Sequence, residues 1–244
     1  MYKIGIFTDV HGNDLALKTV LKEIEKHQVD EIISLGDLIA IGPNSNEVLE
    51  IVTKLPNFST IRGNHEKYYL YGFDNPLSCT KSDHQDWVKE QIDPKFAGFI
   101  EKTPYQIIKE IEGVTIAFIH YPLRSKNPDY FEYIIHNPSS EDLDRLFKDV
   151  EAQVVCFGHE HVSSCLIGKK IYLDVGSCGC PYPEKDVARY MILTIDNQKF
   201  SYETYKVTYN SNKIVEDMFR KNMPDKEFIS ENFYLYKKNL GPII

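Results

Sequence analysis

The chain has 244 residues, of which 42% are hydrophobic and 26% charged, and a formal net charge of −8. That balance suits a globular fold with a large core and excludes collagen-like and low-complexity classes. The acidic balance argues against an extended nucleic-acid surface. No apolar run reaches membrane-spanning length, and Met1 leads into Lys3-Ile4-Gly5-Ile6-Phe7 without a cleavage-site pattern. Five cysteines form no paired framework, and Cys178-Gly179-Cys180 is too tightly spaced for a structural zinc pair. They are expected to be reduced thiols in a cytoplasmic protein.

The run Tyr2 to Thr8 predicts a buried strand that ends at Asp9-Val10-His11. Apolar residues at helical spacing predict a helix over 14–26. A second strand, Glu31 to Leu35, ends at Gly36-Asp37. A helix is expected over 46–54, then a strand from Phe58 to Ile61 ending at Gly63-Asn64-His65-Glu66. Strand, helix, strand, helix, strand points to an α/β fold with parallel strands, whose ligands bind beyond the carboxyl ends. The aromatic-rich stretch 67–106 is read as a helical cap insertion. A strand over 113–119 ends at His120, and 121–140 is read as a loop. A helix over 141–147 and a strand over 153–157, ending at Gly158-His159-Glu160-His161, follow. A hairpin over 163–174, strands over 189–195 and 200–207, and a helix over 211–220 complete the series. Residues 221–244 form a C-terminal extension of what reads as one domain over 1–244.

Five of the eight histidines stand at predicted strand ends: His11, His65, His120, His159 and His161. His27, His84 and His136 are read as solvated, without a chemical role. Asp9, Asp37 and Asn64 join the first group. Imidazoles and carboxylates together suit borderline divalent metals. A single tetrahedral zinc needs four ligands. Asp9, His11, Asp37, Asn64, His120, His159 and His161 make seven, which suits two metals sharing one carboxylate. Such a pair clamps a phosphoryl group and generates a hydroxide nucleophile. His65 is then spare, placed for general acid work or charge stabilisation.

In this order, Asp9-x-His11, Gly36-Asp37, Gly63-Asn64-His65-Glu66, His120 and Gly158-His159-x-His161 resemble the calcineurin-like metallophosphoesterases. The resemblance implies a four-layer αββα sandwich of two mixed sheets flanked by helices. It implies one metal on Asp9, His11, Asp37 and His161, and another on Asp37, Asn64, His120 and His159. His65 would serve the leaving group. Gly36 to Pro43, His120-Tyr121-Pro122 and Gly176-Ser177-x-Gly179-x-Pro181 are similar to the small bacterial and archaeal phosphodiesterase branch, often labelled diadenosine-tetraphosphatase-like. Protein Ser/Thr phosphatases carry an Asp and a phosphate-gripping Arg where this chain has Ala40 and Ile41.

The expected function is two-metal hydrolysis of phosphodiester or nucleotide pyrophosphate bonds. A phosphomonoesterase, protein phosphatases included, and a non-catalytic scaffold on the same fold are the alternatives. Manganese is the first-choice metal, with iron, zinc, nickel and magnesium behind it. Arg62 and Arg124 are candidate substrate contacts, and the partner is a small phosphoester or nucleotide.

Overall fold

The computed structural model describes residues 1–72, 82–124 and 127–236. In chain order its elements are β1 (Tyr2–Phe7), α1 (Asp14–Lys26), β2 (Glu31–Ser34), α2 (Ser45–Val52), β3 (Phe58–Thr60), α3 (Asn64–Tyr71), α4 (Ser82–Gln91), α5 (Ala97–Glu101), β4 (Gln106–Ile111), β5 (Val114–Ile119), β6 (Leu123–Arg124), β7 (Asn127–Phe131), α6 (Ser140–Leu146), β8 (Val154–Phe157), β9 (Ser164–Ile167), β10 (Ile171–Asp174), β11 (Val187–Asp196), β12 (Lys199–Thr208), α7 (Asn212–Arg220) and α8 (Lys226–Phe233).

Two mixed sheets carry the fold. One has the order β12-β11-β1-β2-β3, the other β4-β5-β8-β10-β9. In the first, β1, β2 and β3 are parallel and β1 meets β11 antiparallel. In the second, β5, β8 and β10 are parallel.

Strand alternation explains the four layers. On β1, Ile4 and Ile6 face the second sheet, while Phe7 faces the helices. On β8, Val154 and Cys156 face the first sheet, and Val155 and Phe157 face α6. Both strands are covered on both sides, so they read as continuous apolar runs. Between the sheets, Ile33, Met191 and Leu193 meet Ile116, Phe118 and Leu173. Outside the first sheet lie Ala16, Leu17, Val20 and Ile24 of α1 with Val48, Leu49 and Val52 of α2. Asn13 starts α1 by accepting the Ala16 N–H at 3.0 Å. Outside the second sheet, Leu143 and Phe147 cover Ala117 and Tyr172.

The structure departs from the sequence reading, or adds to it, in four places. Half-exposed β4 forms a hairpin with β5 that 106–111 did not announce. The stretch read as a loop over 121–140 holds the short β6–β7 ladder. The C-terminal extension contains α8, and Tyr234 is fully buried with Ile214, Met218 and Ile229. His84 lies on α4 and is wholly buried, not solvated, because its Nε2 accepts the Ile41 N–H at 3.1 Å. His27 is half-buried and packs on Tyr205, whereas His136 is exposed as expected. Phe73 and Cys79 lie outside the described residues. Among those residues no helix is long and apolar enough to cross a membrane.

Candidate metal centre

Each parallel strand delivers its polar residues to one edge of the sandwich. Asp9 and His11 follow β1, Asp37 follows β2, and Asn64 follows β3. His120 follows β5, and His159 and His161 follow β8. Five of these seven turn sharply in the left-handed region: Asp9 (φ 53°), His11 (49°), Asp37 (52°), His159 (78°) and His161 (63°). Such conformations cost roughly 1 kcal/mol each and persist only where the surroundings enforce them.

The surroundings here are polar and specific. The loop after β10 runs beside residues 8–10: Cys178 N–H donates to Thr8 O and Gly179 N–H to Asp9 O, both at 2.9 Å. A Cβ at Gly179 would lie 1.7 Å from Val10 O, so only glycine fits there.

The donor atoms converge in two groups that share one carboxylate. His11 Nε2 lies 3.0 Å from His161 Nε2, and Asp9 Oδ1 lies 3.6 Å and 3.4 Å from those nitrogens. His120 Nε2 lies 3.1 Å from Asn64 Oδ1 and 3.2 Å from His159 Nδ1. Asp37 Oδ2 stands between the groups, 3.8 Å from His11 Nε2 and 3.3 Å from His120 Nε2.

This arrangement fits metal ions. Each carboxylate is anchored by one oxygen and aims the other inward. Asp9 Oδ2 accepts from Thr8 Oγ1 (2.9 Å) and His159 N–H (3.0 Å), while its Oδ1 is buried with no hydrogen-bond partner. Asp37 Oδ1 accepts the His65 N–H at 2.9 Å. His120 Nδ1 donates to Leu35 O at 2.8 Å, which turns Nε2 toward the centre. Buried nitrogens and carboxylate oxygens packed this closely, with Asp9 Oδ1 left unpartnered, are a set that a bound cation would complete. Asp9, His11, Asp37 and His161 could hold one ion, and Asp37, Asn64, His120 and His159 the other.

The charges of these groups reflect the same crowding. Burial alone would raise Asp9 and Asp37, but the neighbouring imidazoles outweigh it and hold both well below the usual carboxylate range. Burial opposes a charge on His120, yet Asp37 wins and raises it to about 9. Burial, reinforced by His120, lowers His159 to about 3. His65 is lowered to about 3 by burial, only partly offset by Asp37. Its ring stands edge-on to His11 at 5.0 Å and to Tyr68 at 5.6 Å.

Two residues carry more than the sequence reading gave them. Glu66 is buried and accepts three backbone N–H groups, from Asp37 (2.9 Å), Leu38 (2.7 Å) and Gly63 (2.8 Å). The spacing Gly63-x-x-Glu66 at a helix start is the signal that could have found it. Cys180 brings its sulfur within 4.8 Å of ring nitrogens of His11 and His161.

The two candidate arginines part company. Arg124 lines a cavity of about 290 Å³ that opens on Asn64 and His159. It donates to Phe131 O at 3.0 Å and lies 4.0 Å above the Tyr133 ring. Arg62 does not line that cavity. It is buried and donates to Thr103 Oγ1 (3.3 Å), Tyr71 Oη (3.1 Å) and Glu101 O (2.7 Å). Of the aromatics in 68–99, Tyr68 lines the cavity, while Tyr69, Trp87, Phe96 and Phe99 pack on the core.

The chain is similar to several known proteins. An uncharacterized protein of Methanocaldococcus jannaschii is 28% identical over 250 residues, covering 95% of this chain and 97% of that one. Serine/threonine-protein phosphatase 2 of Escherichia coli is 25% identical over 191 residues, covering 71% and 87%. A symmetrical bis(5'-nucleosyl)-tetraphosphatase of Baumannia cicadellinicola is 33% identical over 85 residues, covering 34% and 28%. The crystal structure of a metallophosphoesterase from Sphaerobacter thermophilus superposes with a TM-score of 0.72 at 23% identity, covering 94% and 97%, and shares the fold. The match to the calcineurin-like phosphoesterase superfamily domain spans residues 2–198 and takes in all seven clustered donors, so the chain belongs to that superfamily.

Proposed function

We propose that this phosphoesterase hydrolyses phosphodiesters or nucleotide pyrophosphate bonds, with two metal ions held by the seven donors. The observation that carries the reading is the cavity beside Asn64 and His159. It offers Lys67 and Arg124 for anionic groups and Tyr68, Tyr130 and Tyr133 for a ring. Stacking on such rings contributes roughly 1–3 kcal/mol per base. A second ester arm, which a monoester lacks, has a place to lie there. At about 290 Å³ the cavity is at the small end for ligand sites and suits one arm rather than a polymer.

Metal ions bound here supply Lewis-acid activation of water and neutralise charge on the phosphoryl oxygens. The chain's own residues do the rest. Asp37 presents one oxygen to both donor groups. Glu66 and the His65 N–H fix that carboxylate's position. His65 would turn its imidazole N–H to the leaving oxygen. Lys67 and Arg124 orient the second arm.

A phosphomonoesterase is the second reading, favoured by the similarity to serine/threonine-protein phosphatase 2. Ala40 and Ile41 oppose it, since they leave no guanidinium at that position to grip a terminal phosphate. The test is an activity ratio. Metal-stripped protein reconstituted with Mn²⁺ is assayed on a model diester, a model monoester and diadenosine tetraphosphate. Chelator-sensitive diester or dinucleotide turnover is expected, and dominant monoester turnover would overturn the proposal.

A further inference from the structure

We infer that Cys180 supplies a sulfur donor to the ion position formed by Asp9, His11 and His161. The inference rests on the metal reading above and adds a ligand that the motif pattern does not contain.

The geometry starts from the loop after β10. Ser177 Oγ donates to Asp9 O at 2.8 Å and accepts the Cys180 N–H at 2.8 Å. Cys180 is thereby tied to the backbone of the residue that opens the donor set. Its side chain is fully buried. Its sulfur and ring nitrogens of His11 and His161 lie within 4.8 Å of one another. A thiolate about 2.3 Å and an imidazole about 2.1 Å from one ion are at most about 4.4 Å apart. At a tetrahedral angle the separation is about 3.6 Å, so closing the group around an ion needs a shift of up to about an ångström.

A second observation points at a ligand. Asp9 Oδ1 is fully buried, has no hydrogen-bond partner, and faces His161 Nε2 at 3.4 Å and His11 Nε2 at 3.6 Å. A buried carboxylate oxygen aimed at two imidazoles is an incomplete shell. The competing role for Cys180 is apolar filling, since it also touches the cluster of Ile41, Met218 and Tyr234. Cys178 has that role without ambiguity: it packs with Phe7 and Val10 and belongs to none of the donor groups.

The consequence is a chemical asymmetry. The first position would offer two imidazoles, the carboxylates of Asp9 and the shared Asp37, and a thiolate, a set that suits zinc, cobalt or ferrous iron. The second offers the Asn64 carbonyl oxygen and suits harder ions such as manganese. As the sulfur–metal bond forms, the S–H bond breaks and the proton leaves to solvent.

The test loads the full chain with Zn²⁺ for X-ray absorption and with Co²⁺ for optical spectra. A sulfur scatterer at about 2.3 Å is expected in the zinc form. A near-ultraviolet thiolate-to-cobalt charge-transfer band is expected in wild type and in Cys178→Ala, and its loss in Cys180→Ala and Cys180→Ser. Bound metal with only nitrogen and oxygen neighbours overturns the inference alone. A chain that retains no metal, measured by atomic emission, overturns the metal reading with it. The absorption experiment on wild type decides the matter even where a variant fails to fold.

Discussion

Glu66 Oε2 accepts the backbone N–H of Asp37 at 2.9 Å, so the helix that follows β3 holds the loop that follows β2. The same carboxylate accepts from Leu38 and Gly63. It thereby sets the backbone of the one residue that faces both donor groups. Its place is tight: a Cβ on Gly63 would lie 2.1 Å from Asp37 Oδ1.

Glu66→Ala leaves three buried N–H groups without acceptors, each costing about 1–3 kcal/mol. Metal affinity is expected to fall about 10–100-fold, as for other residues that orient ligands. Glu66→Gln keeps the shape but turns an NH₂ toward a donor, and is expected to lie between. Competition with a chromogenic chelator measures this. Wild-type affinity in Glu66→Ala would show that Asp37 is positioned by other means.

His84 gives a pH dependence with a definite sign. Ile41 is β-branched yet left-handed (φ 58°), and the His84 ring accepts its N–H. Burial lowers His84 to about 4, offset only in part by Pro224 O and Asp225. The unfolded chain takes up the proton near pH 6.5, the folded one only near 4, so stability is full above 6.5 and falls as pH drops toward 4. Between pH 7 and pH 5 this group alone accounts for about 2 kcal/mol. His84→Gln keeps an acceptor without the titration. Urea unfolding at both pH values is expected to show that much less loss in the variant. Contributions from His65 and His159 cancel in the comparison. Equal losses in the two proteins would remove His84 from the acid response.

What could be read from sequence divides along physical lines. Strands buried on both faces, such as β1 and β8, are unbroken apolar runs, and their polar endings mark the centre. The α1 boundaries at Asp14 and Lys26 follow from apolar spacing. β4 escaped notice because it is an edge strand, with Ile107 and Ile111 half-buried and Ile108 exposed. His84 sits in the polar string Ser82-Asp83-His84-Gln85-Asp86, and only packing against Ile41 buries it. Cys180 approaches His11 because the 176–180 loop runs beside residues 8–10, a contact between distant segments that no local pattern encodes.

Arg62 and Arg124 are expected to respond in opposite ways. Arg62→Ala removes three donor contacts, one buried and two part-buried, and its stacking on Tyr105, 4.9 Å from the guanidinium. A loss on the order of 3 kcal/mol follows, or roughly 6–12 °C in Tm for a chain of this size. Arg124→Ala removes one bond to Phe131 O at the cavity wall and should leave Tm within a few degrees. On the preferred diester it is expected to raise KM about tenfold with kcat little changed, the mark of lost uniform binding. A kcat defect without a KM change would place Arg124 at the reacting phosphoryl group instead.

His65 offers the sharpest test of the chemistry. Its backbone N–H is spent on Asp37; a ring nitrogen lies within 4.8 Å of the His11 and Asp37 donor atoms, but the two ion positions already have their seven donors without it. His65→Ala is therefore expected to retain two metals and lose about 10²–10⁴-fold in kcat/KM. The loss should depend on the ester. A nitrophenolate departs without a proton, so that substrate should lose little. An alkoxide gathers more charge as it leaves and gains most from the hydrogen bond of the neutral His65 N–H, so its diester should lose most. A uniform loss across leaving groups, with metal content unchanged, would assign His65 to charge stabilisation at phosphorus rather than to the departing oxygen.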